Sequence, residues 1–246
     1  TNGYALEKES AAGIHERLVL WYKGKFCIIN DFIVGSGNEF TANFNFHPSD
    51  YSFDGKVFAT GLGDTDIMIK PIYSNVPLRQ KIYEGSQEPK AGWLSKDGYK
   101  LRGAEKGCSM QVSGGLMDHG TIVSYIMMPF NYGDIPNAEI LNEEELVHEE
   151  AEDKKSRIWD KPVRYSFSAG KGVYDIVTGY GRYRESRQQM PIGLQGDYES
   201  DGKLIMVEFK SGRPAFAYLY DGSYLMFKGE MLIDEENAGN YEKVLK

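Results

Sequence analysis

HERLVLWYKGKFCIINDFIVGSGNEFTANFNFHPS, residues 15–49, consists of three extended runs separated by turn residues. Leu18-Val19-Leu20-Trp21-Tyr22 is apolar, β-branched and aromatic, a composition that fits a pleated, half-buried surface. Lys23-Gly24 reads as a tight two-residue connection, with Gly supplying the positive φ such a turn needs, and Lys25 to Asp31 as the returning strand of a hairpin. After Gly35-Ser36-Gly37-Asn38, the apolar residues Phe40, Ala42, Phe44 and Phe46 alternate with polar ones. That period of two puts one face of a third strand in a core and the other in water.

The same rhythm extends outward. Asp54-Gly55 separates two further extended runs, and Asp66 to Lys70 reads as a strand stopped by Pro71. Thr121 to Met128 is a strong strand closed by Pro129, and its uninterrupted apolar stretch Tyr125 to Met128 implies burial on both faces in the middle of a sheet. Arg164–Ser168 and Gly172–Tyr180 are strands. Asp201-Gly202 and Asp221-Gly222 are expected to be hairpin turns that join residues 203–210, 215–220 and 223–228 into a meander. Residues 137–157, centred on Asn142-Glu143-Glu144-Glu145-Leu146-Val147-His148-Glu149-Glu150, are acidic and poor in β-branched side chains, so a solvated helical turn or flexible connection is expected there. The expected fold is therefore all-β: a large antiparallel β-sandwich of two stacked sheets with little helix. It forms a single domain over residues 1–246, with strand sets 1–136 and 158–246 joined by the acidic connection.

Charge narrows the function. The chain carries a formal net charge of −8, so its overall field repels nucleic acid, and a polyanionic glycan needs a local basic patch. No segment is long and apolar enough to span a membrane. The chain begins Thr1-Asn2-Gly3-Tyr4, without an initiating Met or a leader, and is expected to be an excised domain or processed product. Cys27, in mid-strand, reads as a small buried hydrophobe, and the sequence leaves its pairing with Cys108 open. His15, His47, His119 and His148 form no close pair, and His15, Asp31 and His47 match no ligand spacing, so neither metal nor cofactor is expected. Nucleophile-elbow, phosphate-loop and Cys–His signatures are absent.

One basic stretch is interleaved with aromatics: Gly179-Tyr180-Gly181-Arg182-Tyr183-Arg184-Glu185-Ser186-Arg187. Arg pairs with carboxylate or sulfate in a fork, and Tyr offers an apolar face to a sugar ring. Tyr180, Arg182, Tyr183, Arg184 and Arg187 are therefore the candidate substrate-binding residues. A weaker second group is Tyr99 with Lys96, Lys100 and Arg102, close to Trp93. The competing interpretation is a strand and loop whose Arg stems cover the core while their heads face water.

Arg17 opening an apolar strand, an aromatic-rich strand ending at Asp31, a Gly-containing turn and a strand closing on Phe46-His47 resemble the C-terminal β-sandwich of heparinase II/III-like polysaccharide lyases. Gly92-Trp93-Leu94-Ser95 with Tyr99 resembles a second segment of that family. The matching patches span the first half of the chain. The resemblance implies a secreted, bacterial-type protein of extracellular or periplasmic location, in which this part packs against a helical catalytic domain and shapes one wall of a cleft for an acidic polysaccharide. The parent enzyme would cleave uronic-acid glycans by β-elimination. The family's catalytic Asn, Tyr and His lie mainly on the helical toroid, so no catalytic residue is expected here, and the fragment alone is expected to be inactive. The family's metal-linked His-rich segments have no counterpart in this sequence. The alternative function is a stand-alone carbohydrate-binding module for an acidic polysaccharide. A third is a complete β-sandwich lyase, which requires one sheet to gather His, Tyr and Arg.

Overall fold

The computed structural model describes residues 14–35, 37–46, 50–61, 65–88, 90–94, 105–117, 120–131, 134–145, 161–180 and 192–245. Among them there is no helix, and strands dominate. The chain divides into two compact units, Thr1–Pro136 and Asn137–Lys246.

In the first unit the chain forms β1 (Ile14–Tyr22), β2 (Phe26–Val34), β3 (Glu39–Phe46), β4 (Tyr51–Phe53), β5 (Phe58–Thr60), β6 (Asp66–Ser74) and β7 (Leu78–Glu84). Four short pieces follow: β8 (Ser86–Gln87), β9 (Lys90–Ala91), β10 (Trp93–Leu94) and β11 (Glu105–Lys106). Two long strands, β12 (Cys108–Gly115) and β13 (Thr121–Phe130), complete the unit. One sheet has the order β1-β2-β13-β6-β5-β4, and a second the order β3-β12-β7. They stack as a sandwich. Ile29, Phe58, Ile69, Val123 and Tyr125 from the wider sheet share a core with Phe40, Met110 and Val112 from the narrower one. The Phe44 and Tyr125 rings meet edge to face at 5.0 Å, and Phe46 stacks on Phe58 at 4.6 Å.

The alternation in β3 faces its apolar residues inward as expected, but the strand joins the opposite sheet from β1 and β2. The β1–β2 turn is one residue longer than the sequence suggests. It spans Lys23–Lys25 with Gly24 at φ +77°, closed by Lys25 N–H donating to Tyr22 O at 3.0 Å. Tyr22 therefore faces Phe26, and Arg17 faces Asp31. β13 lies between β2 and β6, and in its apolar stretch Tyr125, Ile126 and Met128 are buried and Met127 partly so, while Thr121 to Ser124 before it are buried as well. Pro71 does not stop β6. The register slips between Ser124 and Tyr125, opposite Tyr73 and Pro71, and this bulge accommodates the proline. Pro129 likewise lies inside β13, beyond the last residue paired with β2.

The second unit contains β14 (Ala138–Glu145), β15 (Lys161–Ala169), β16 (Gly172–Tyr180), β17 (Gly193–Gln195), β18 (Tyr198–Ser200), β19 (Leu204–Lys210), β20 (Arg213–Phe227) and β21 (Glu230–Val244). All belong to one antiparallel sheet that curls into a half-barrel around Val177, Ile205, Val207, Leu219, Leu225 and Ile233. The expectation of a helical turn in the acidic stretch fails as far as Glu145. Asn142, Glu143 and Glu144 pair with Ser166, Tyr165 and Arg164 in an outer strand. Carboxylates suit such an edge because they stay hydrated and repel edge-to-edge association. Residues 146–157 lie outside the described residues.

Asp221-Gly222 is not a hairpin turn either. It lies inside β20, with Asp221 at φ +50°, and the real turns are Ser211-Gly212 and Lys228-Gly229. β18 and β19 lie end to end along one side of β20, joined through Asp201-Gly202, while β21 runs along the other side. At the kink, Gly222 and Gly202 touch so closely that a Cβ on Gly222 would sit 2.5 Å from the Cα of Gly202. Asp201 supplies the bonds the broken ladder lacks. Its carboxylate accepts from the N–H groups of Ser223 and Tyr224 at 2.7 and 3.0 Å and from Ser223 Oγ at 2.7 Å.

Candidate functional site

The residues singled out in the sequence fall largely outside the described residues. Arg182, Tyr183, Arg184 and Arg187 are outside them, as are Tyr99, Lys96, Lys100, Arg102, His47, His119 and His148; Tyr180 closes β16 as backbone. Trp93 is half-buried, and its Nε1–H donates to Ser86 O at 2.6 Å. Gly92 beside it has φ +70° and accepts at its carbonyl from the N–H groups of Gly85 and Gly107, each at 2.8 Å. A Cβ there would meet Tyr83 O at 2.2 Å. The Gly-Trp segment thus has a structural reason for both residues.

The other motif builds the polar cluster of the first unit. On β1, His15, Arg17, Val19 and Trp21 share one face, and in β2 the same face carries Cys27, Ile29, Asp31 and Ile33. This is the face that meets the narrower sheet through Ile29. The Arg17 guanidinium grips Asp31 with both prongs, Nε to Oδ1 at 2.7 Å and Nη2 to Oδ2 at 2.8 Å. His15 Nε2 lies 3.0 Å from Oδ1. Asp31 is 1% exposed, whereas Arg17 and His15 are nearly half exposed. Burial raises the carboxyl's proton affinity, but the hydrogen bonds and charges of Arg17 and His15 outweigh it and hold Asp31 below the ordinary value. The same bond raises the pKa of Arg17. Tyr125, fully buried and close enough to feel both charges, is raised first by burial and then by the Asp31 carboxylate. Its hydroxyl finds no hydrogen-bond partner among the described residues.

A second cluster lies in the half-barrel. Asp175 accepts from Ser166 Oγ at 2.6 Å, from Tyr198 OH at 2.8 Å and from Arg164 Nη2 at 2.9 Å. The Arg164 guanidinium also sits 5.2 Å from the Tyr198 ring centroid. Burial and the Asp175 charge push the Tyr198 phenol up. These bonds tie β15, β16 and β18 together, with Arg164 and Asp175 both largely buried.

A shallow groove of about 480 Å³ opens at one end of the narrower sheet between Asn38, Glu39, Pro77, Arg79 and two glycines, Gly114 and Gly115. Its charges, Glu39 and Arg79, bond to each other. No three His, Cys, Asp or Glu side chains are arranged as metal donors among the described residues. Cys27 and Cys108 are both free thiols.

The exposed flank of the first cluster is what sequence reasoning missed. Trp21 is 76% exposed and Val19 55%, although both belong to the apolar run Leu18–Tyr22. On the opposite face, Leu20 is buried and Leu18 is partly so. Alternation along β1 carried this signal, but the unbroken run Leu18–Tyr22 hid it.

No family model matches the chain, and no curated protein matches it. Among solved structures, the chain is similar to the heparan sulfate lyase HepC from Pedobacter heparinus, with a TM-score of 0.45 at 14% identity over 72% of this chain and 25% of that one. A mutant of the same lyase gives a TM-score of 0.46 at 14% identity over 73% and 27%. Heparinase III gives 0.45 at 13% identity over 71% and 24%. The chain spans about a quarter of the length of these solved chains. At this level of likeness, neither activity nor residue roles pass from them to this chain.

Proposed function

We propose that this chain is the β-rich supporting part of a polysaccharide lyase that cleaves uronic-acid glycans by β-elimination, with its catalytic residues on a helical region of the parent protein. Such a reaction neutralises the uronate carboxylate, removes the C5 proton and protonates the leaving oxygen. The observation that carries this reading is the Arg17–Asp31 pair, because these two residues of the motif clamp β1 to β2, and the buried Asp31 carboxylate is spent on that clamp. The buried carboxylates Asp31 and Asp175 are likewise engaged by cations and hydroxyls of their own units, an arrangement suited to holding strands rather than moving protons. A polymeric substrate would place the parent outside the cytoplasm.

The test is the absorbance of the unsaturated uronate product on incubation with heparin, heparan sulfate or alginate. The chain alone should give none, and addition of the parent's separately produced helical region should give turnover. Turnover by the chain alone would sink the supporting role. Failure of the intact parent on every uronate glycan would sink the lyase assignment. The exposed Trp21 beside Arg17 also favours direct glycan contact by this chain.

A further inference from the structure

We infer that the uncovered face of β1 is a ledge for an anionic glycan, with Trp21 as the stacking platform and Arg17 as a fixed anion donor. The inference rests on the reading that this chain works on an acidic polysaccharide.

The first unit's six-stranded sheet is wider than the three-stranded sheet stacked on it. Within that shared face, Ile29 is buried on β2, while His15, Arg17, Val19 and Trp21 on the outermost strand are exposed. Residues two apart on a strand lie about 6.6 Å from each other, so these four make a line of roughly 20 Å with the charged groups at one end and Trp21 at the other. It is one strand wide. That shape suits an extended polymer and lacks the roughly 800 Å² per partner that a stable protein interface covers.

The line exposes a guanidinium, an imidazole and an indole, although the chain as a whole is acidic. The carboxylate on this face, Asp31, is buried and turned to its two basic partners. Glu16 projects from the other face of β1. A guanidinium has five N–H groups, and Arg17 spends two on Asp31, which leaves three for a ligand. Asp31 also holds Arg17 in one orientation, so little side-chain freedom remains to be lost on binding. A carboxylate or sulfate fits the remaining N–H groups in fork geometry, and the flat indole offers a sugar ring an apolar face.

The experiment is calorimetric titration of the chain with heparan sulfate oligosaccharides, with an uncharged dextran as control, comparing Trp21→Ala, Trp21→Phe and Arg182→Ala/Arg184→Ala. Trp21 is so exposed that its truncation leaves the core intact, and thermal melting checks this. The ledge predicts binding by the unsubstituted chain that weakens about tenfold in Trp21→Ala, the scale of a truncated aromatic anchor, and is largely kept in Trp21→Phe. Unchanged affinity in Trp21→Ala, with loss in Arg182→Ala/Arg184→Ala, would overturn the ledge and leave the glycan reading standing. Equal binding of dextran would overturn the anion assignment. Absence of binding by the unsubstituted chain would overturn both the ledge and the glycan reading.

Discussion

Asp31 shows how a single residue in the turn changes a site. With the two-residue connection that Lys23-Gly24 suggests, Arg17 would face Asn30, and Asp31 would face Glu16, carboxylate against carboxylate. The third turn residue, Lys25, moves the register by one and brings Arg17 opposite Asp31. The residues of the cluster were therefore legible in the sequence while their pairing was not, because turn length fixes register and a Lys-Gly-Lys triplet does not fix turn length. The consequence for stability can be measured. Folding lowers the proton affinity of Asp31 below the ordinary carboxyl value of 3.8, so the unfolded chain binds more protons at and below that pH. The Asp31 contribution is fully present above about pH 4 and is lost as pH falls through the folded value. In acid titrations followed by circular dichroism, Asp31→Asn should be less stable at neutral pH, and the gap to the unsubstituted chain should close below pH 3.8.

At the scale of elements, strands with clean alternation or an unbroken apolar run were readable, and those that bend were not. Gly172–Tyr180 has the bounds its sequence suggests, and the centre of the first unit is the Thr121–Met128 run. Pro71 and Asp221-Gly222 look like stops because proline lacks a donor and Asp-Gly favours positive φ. Each is accommodated inside a strand by a neighbour: a slipped register opposite Pro71, and the side chain of Asp201 opposite the β20 kink. Such accommodation depends on residues distant in sequence, which local pattern does not report. The role assigned to Asp201 predicts that Asp201→Ala destabilises the chain by about 2 kcal/mol, the cost of losing hydrogen bonds to a partly buried carboxylate. Chemical denaturation would register this, and amide exchange at Ser223 and Tyr224 should speed up more than elsewhere in β20. Uniform exchange along β20 would contradict the splint. The acidic edge strand β14 escaped prediction for a related reason, since edge position tolerates a composition that strand propensity disfavours.

For the molecule as a whole, composition and period were enough for an all-β chain with a sandwich, and the curled sheet of the second unit was not legible in them. On the proposed reading the chain is an all-β support in which the buried Asp31 and Asp175 hold strands and β1 exposes Arg17 and Trp21. The most direct measurement of that claim is Asp31→Asn in the intact parent enzyme, with melting temperature and turnover measured on the same sample. Loss of the Arg17–Asp31 clamp, discounted because Arg17 is half exposed, should cost about 2 kcal/mol and lower Tm by roughly 5 °C. Below that temperature kcat should stay the same while KM rises, because Arg17 is no longer held in place. An unchanged Tm with kcat abolished would place Asp31 in the chemistry and contradict the supporting role.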